Sequence, residues 1–114
     1  MSEYLPTCPI ATAMAIVGDK WKIQIMWQLT QDTGKLHFND FKRLIEGISD
    51  KMLSKSLKAL EADHLIERNV LDSKPPRSIY SLTEMGHKLL SVLEELNEWG
   101  KLYQKMYLQI HEEI

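Results

Sequence analysis

Apolar residues recur at helical spacing along most of the chain and alternate in one short region. Pro9 suits the first turn of a helix, and Ile10 to Val17 forms a short one that Gly18 breaks. Asp19 then caps a second helix, Lys20 to Gln31, in which Trp21, Ile25 and Leu29 stack at four-residue steps. Ile23, Met26 and Trp27 widen that stripe, so this helix belongs at the centre of a core. Asp32-Thr33-Gly34 reads as a turn, and Leu36-His37-Phe38 as a strand too short to stand without a sheet. Asn39 to Ile45 is amphipathic, with Phe41, Leu44 and Ile45 on its apolar face. After the turn Glu46-Gly47-Ile48, Ser49 caps a longer helix whose apolar stripe is Met52, Leu53, Leu57 and Leu60. Leu65 to Leu71 and Ser78 to Leu82 read as two strands joined by Asp72-Ser73-Lys74-Pro75-Pro76-Arg77. Thr83 caps a last helix, Glu84 to about Ile110. Its seam, Met85, Leu89, Val92, Leu96, Trp99, Tyr103, Met106 and Ile110, advances by alternating steps of four and three. Met1 to Thr7 reads as a loose arm.

The order of these elements points to a function class. Helix, short glycine-containing turn and second helix form a helix-turn-helix unit, whose second helix lies in the DNA major groove. The polar face of that helix carries Lys51, Ser54, Lys55 and Lys58. Ser49 and Met52 near its start, and Lys42 and Arg43 on the preceding helix, join them as candidate DNA contacts. A basic face on an amphipathic helix is by itself more often a solvated surface. The hairpin that follows sharpens the reading, because Lys74 and Arg77 at its tip make it a wing able to reach backbone phosphates.

Length and charge fit this. At 114 residues the chain is one domain: a winged-helix body over 8–83 and a dimerisation helix over 84–110. The expected fold class is mainly α with a small β-hairpin. Net charge is −2, but Lys35 to Arg77 holds nine Lys/Arg against seven Asp/Glu, a balance of +2, while the remainder carries −4. The electrostatic case for DNA therefore rests on a local face. A last helix about 40 Å long exceeds what such a body covers. Trp99, Tyr103, Met106 and Ile110 are accordingly the residues expected between two subunits. One cysteine, Cys8, excludes an intramolecular disulfide and suits a cytoplasmic setting; no stretch reads as a membrane span or an export signal.

The chain resembles the HxlR-type transcriptional regulators, relatives of the MarR group. The resemblance runs from Cys8-Pro9 through Gly18-Asp19-Lys20-Trp21, Phe38-Asn39-Asp40-Phe41 and Gly47 to Ser54. It continues through Leu60 to Arg68, Pro75-Pro76-Arg77, Tyr80 to Gly86 and Trp99-Gly100. It implies a DNA-binding homodimer on a palindromic operator, with the Ile48-to-Leu60 region as reading helix and Pro-Pro-Arg as wing tip. Three positions depart from the family pattern. His37 replaces an arginine, which makes any phosphate contact there weaker and pH-dependent; His64 replaces a glycine; and Ser78-Ile79 lacks an acidic residue.

No pattern supports catalysis, and no cofactor or metal is expected, since His37, His64, His87 and His111 lack metal-ligand spacing. Trp21, Trp27 and Trp99 sit at core spacing, and the methionines read as gap-fillers. Cys8 is either a small packing residue or a sensor thiol. In the family, a cysteine in this Cys-Pro context serves some members as a sensor of oxidants or electrophiles, and a helix start favours thiolate. Two functions stand: a dimeric DNA-binding regulator, or a winged-helix module that binds another protein through its last helix.

Overall fold

The computed structural model describes residues 8–31 and 33–112. The N-terminal arm, Met1 to Thr7, and Asp32 of the first turn lie outside the described residues. Among the described residues six helices and three strands follow one another as α1 (Pro9–Val17), α2 (Lys20–Leu29), β1 (Lys35–His37), α3 (Phe38–Leu44), α4 (Asp50–Ala62), β2 (Ile66–Leu71), β3 (Arg77–Leu82), α5 (Glu84–His87) and α6 (Leu90–Glu112).

Local chemistry accounts for the helix starts. The Asp19 carboxylate accepts from the amides of Trp21 and Lys22 at 3.0 Å each. The Ser49 hydroxyl accepts from Met52 N at 3.0 Å, and Thr83 Oγ1 from Gly86 N at 3.0 Å. Each satisfies amides that the first turn leaves without a helical acceptor. Gly47 sits at φ +84°, the left-handed geometry that lets the chain reverse between α3 and α4. His64 takes φ +61° after α4, the conformation anticipated where the family pattern has glycine.

The core gathers the predicted stripes. Ile25, Met26 and Leu29 of α2 meet Phe41, Ile45 and Ile48, together with Leu53, Leu57 and Leu60 of α4. Trp21, Ile23, Trp27 and Met52 pack against it partly buried. The hairpin closes one side, with Ile66 opposite Leu82 and Leu71 opposite Arg77. The short Leu36 segment does join the sheet: β1 pairs antiparallel with β3, giving the order β1-β3-β2. Tyr80, in the middle strand, meets Phe41 edge-on with ring centroids 6.0 Å apart.

Two expectations require correction. The last helix is not continuous from Glu84. Lys88 N donates to both Glu84 O and Met85 O, and Leu89 N donates to Gly86 O, so the chain tightens after His87 before α6 begins. At the same place a long-range contact holds α5: Gly86 lies close against the Leu65 carbonyl, just before β2, and Thr83 N donates to the same oxygen. The remaining helix of 23 residues is about 35 Å long. Trp99 is not a core residue within the chain, because it is 62% exposed. Leu93 is buried and Leu89 packs on the core, Leu96 and Asn97 still line a groove with Ile23, Gln24 and Trp27 of α2, and the large apolar side chains of α6 from Trp99 onward are exposed.

Candidate nucleic-acid interface

The predicted reading helix presents the residues expected of it. Lys51, Lys55 and Lys58 are exposed on α4, and Ser54 is half-buried beside them. Leu53, Leu57 and Leu60 hold the opposite side in the core, so the orientation of the lysines is set by packing. Met52 faces the core edge, and Ser49 is engaged as the cap.

Lys42 is differently placed. Its ammonium donates to the Ile48 carbonyl at 2.8 Å and pairs with Asp50 Oδ1 at 2.8 Å. It thus clamps α3 to the turn and first residue of α4, and it is turned inward on the helix pair. Arg43 is 70% exposed and leans on Asp40 Oδ1 at 3.4 Å. At the start of α3, Asp40 Oδ2 accepts from His37 N at 2.7 Å and lies 3.3 Å from His37 Nδ1. The His37 amide, the imidazole and the Arg43 guanidinium together hold the Asp40 carboxyl below the usual carboxylate range against some desolvation.

One cleft lies between α4 and the sheet, and a second between the β1–α3 junction and the start of β3. One, of about 100 Å³, is bounded by Phe38, Ser54, Leu57, Lys58, Glu61, Arg68 and Tyr80. The other, of about 350 Å³, is bounded by His37, Phe38, Asn39, Pro76, Arg77, Ser78 and Tyr80. Phe38 and Tyr80 form the shared wall. Lys74 and Arg77 are exposed at the wing, as anticipated. Arg68 did not stand out in the sequence, yet it joins the α4 cleft. Its signal was there: it is two residues beyond Ile66 and so on the strand face turned toward α4.

The remaining candidates are dispersed. Cys8 is exposed at the N-cap of α1 and its side chain makes no capping bond. Trp99, Tyr103, Met106 and Ile110 are 62%, 47%, 46% and 52% exposed along α6. Trp99 stacks on Tyr103 at 5.3 Å, and that ring is followed by Tyr107 at 6.4 Å. Among the described residues no group of three His, Cys, Asp or Glu side chains could hold a metal, and no helix is long and apolar enough to cross a membrane.

A helix-turn-helix whose second helix turns a basic face outward beside a three-stranded sheet with a β2–β3 hairpin as its wing defines a winged-helix regulator. Residues 16–107 match the HxlR-like helix-turn-helix family, and the chain belongs to it. YdeP of Bacillus subtilis, an HTH-type transcriptional regulator, is 39% identical over 103 residues, 90% of this chain and 79% of that protein. A second HTH-type regulator, from Methanothermobacter thermautotrophicus, is 41% identical over 89% of this chain and 74% of its own. Among solved structures, the redox regulator HypR in its reduced form superposes with a TM-score of 0.82 at 32% identity, covering 90% of this chain and 99% of that one. Reduced YodB from B. subtilis gives 0.71 at 35% identity, covering 82% and 91%. The chain is therefore a transcriptional regulator of the helix-turn-helix type, a family of DNA-binding proteins and not of enzymes.

Proposed function

We propose that this regulator is a cytoplasmic homodimer that reads a palindromic duplex operator, with an affinity that responds to oxidants or electrophiles through Cys8. The observation that carries the DNA reading is the row Lys51, Ser54, Lys55 and Lys58 on the outer side of α4, with Arg68 of the wing in the cleft beside Ser54 and Lys58. Lys51 and Ser54 suit base edges, Lys55 and Lys58 bases or phosphates, and Lys74, Arg77 and Arg43 phosphates. Ser49 keeps a hydroxyl proton to offer a phosphate, and Met52 an apolar edge. Lys42 acts from behind by holding the turn.

The dimer reading rests on α6. Among the described residues fourteen large apolar side chains are exposed; nine of them lie on α6, at Val92 and from Leu96 onward, and Met85 on α5 extends the seam. Such a contiguous apolar surface marks an interaction site. A second copy covering Trp99, Tyr103, Met106 and Ile110 would set two reading helices about 34 Å apart, one turn of duplex. The sensor reading rests on the exposure of Cys8 and on similarity to HypR, a redox regulator, and to YodB, solved after diamide treatment.

The test selects bound genomic fragments with the purified protein and measures anisotropy on the recovered duplex. Loss of one base-edge contact costs about 1–3 kcal/mol, so Lys51→Ala with Lys55→Ala should weaken binding strongly. Unchanged affinity would remove α4 as the reader. Light scattering that gave a monomer mass at micromolar protein would reject the dimer.

A further inference from the structure

The outer face of α4 is one-sided in what it can recognise. Lys51, Lys55 and Lys58 are exposed there, and an ammonium group only donates. Donors select base edges that present acceptors, such as guanine O6 and N7. Cytosine shows the major groove a donor, its N4 amino group, and the lysines have no answer to it. Ser54 can accept, but it is half-buried.

Asp50 supplies an exposed acceptor. It is the first residue of α4, and its side chain is 78% exposed. The first turn of a reading helix is the part that meets base edges. Ser54 and Lys58 follow at four-residue steps, so Asp50 heads a ridge that runs along the same side of the helix. A carboxylate accepts and never donates, the converse of the lysines beside it.

An isolated carboxylate would be repelled by the phosphates that flank a groove. Lys42 removes that obstacle. Its ammonium lies 2.8 Å from Asp50 Oδ1 and donates to the Ile48 carbonyl at 2.8 Å, so the countercharge is fixed to the turn before α4. The pair brings no net negative charge to the groove. It also restricts the Asp50 side chain, which sets the direction in which the carboxylate can accept. A carboxylate has about four lone-pair sites, so one ammonium leaves room for a base.

We propose that Asp50 is a specificity-determining residue that accepts a hydrogen bond from the N4 amino group of a cytosine in each half-site, with Lys42 as the positioning residue that holds and neutralises it. This rests on the DNA-binding reading above and adds a base preference to it. The same acid works by exclusion, because guanine O6 and thymine O4 would set an acceptor against an acceptor.

The test selects bound duplexes from a pool randomised over about 30 base pairs, enough for two half-sites one turn apart. Wild type, Asp50→Asn and Asp50→Ala are compared. Asn keeps an oxygen for Lys42 and pairs with adenine N6 and N7; Ala offers a base nothing. Wild type should enrich cytosine at one position of each half-site. Asp50→Asn should enrich adenine there, and Asp50→Ala should tolerate every base there, with the rest of the motif unchanged. In anisotropy, replacing one such cytosine by adenine should weaken wild-type binding by roughly 5- to 100-fold and tighten binding by Asp50→Asn. Identical motifs for the three proteins would overturn the role of Asp50 while leaving DNA binding intact. A wild-type preference for another base at the position that Asp50→Ala relaxes would overturn the cytosine contact. No enrichment by wild type would overturn the DNA reading itself and this contact with it.

Discussion

Replacing Lys42 by methionine separates a clamp from a DNA contact. The substitution keeps the apolar stem and deletes the ammonium that bridges Ile48 O and Asp50 Oδ1 at 2.8 Å each. A hydrogen bond from a charged donor is worth about 1.5–3 kcal/mol, and an exposed ion pair adds about 0–1. Lys42 is 33% exposed and Asp50 78%, so water recovers part of both, and about 1–2 kcal/mol is the expected loss. With a urea slope of about 1–3 kcal/mol per molar for small proteins, the unfolding midpoint should fall by roughly 0.3–2 M at fixed protein concentration. Asp50→Asn should lose the smaller share, and the double variant should fall short of the sum because the pair is shared. DNA affinity should drop through looser seating of α4, with the salt slope unchanged. A phosphate-contacting Lys42 would behave in the opposite way, lowering the slope by about 0.9 per contact and leaving the urea midpoint in place. That pair of results would refute the clamp.

Two further outcomes follow from particular contacts. Gly86→Ala places a methyl on the Leu65 carbonyl oxygen, with Leu82 Cδ2 3.2 Å away, and should cost about 2–3 kcal/mol, a fall in Tm of roughly 10 °C by calorimetry; a Tm within a degree of wild type would show that α5 moves freely. Diamide or a quinone should change operator affinity in wild type and leave Cys8→Ser unaffected, because Cys8 is the only thiol; equal affinities in all four measurements would reduce Cys8 to a bystander.

Much of the architecture was legible in the sequence because its causes are local. Asp19, Ser49 and Thr83 cap helices with their own side chains, a bond made within three residues. The α4 stripe of Leu53, Leu57 and Leu60 needs only the helical period to be placed inside, and that placement alone sends Lys51, Lys55 and Lys58 outward. The wing followed from two alternating runs around Pro75-Pro76, and the left-handed turn at His64 from the glycine expected there by resemblance.

Contacts between residues distant in sequence were decided only by the tertiary structure. The heptad-like seam from Met85 to Ile110 is continuous in sequence, yet the helix breaks after His87, where Gly86 meets Leu65, 21 positions earlier. Trp99 has the spacing of a core residue, but spacing reports which face is apolar and not what covers it; α6 extends past the body before reaching it. Lys42 looked like any basic side chain near a reading helix until the turn brought the Ile48 carbonyl and Asp50 within 2.8 Å. Arg68 joined the interface once α4 was laid across its strand. The cleft that sets His37 against Arg77 requires β1 to pair with β3, an association of segments about 40 residues apart that periodicity within either segment does not encode.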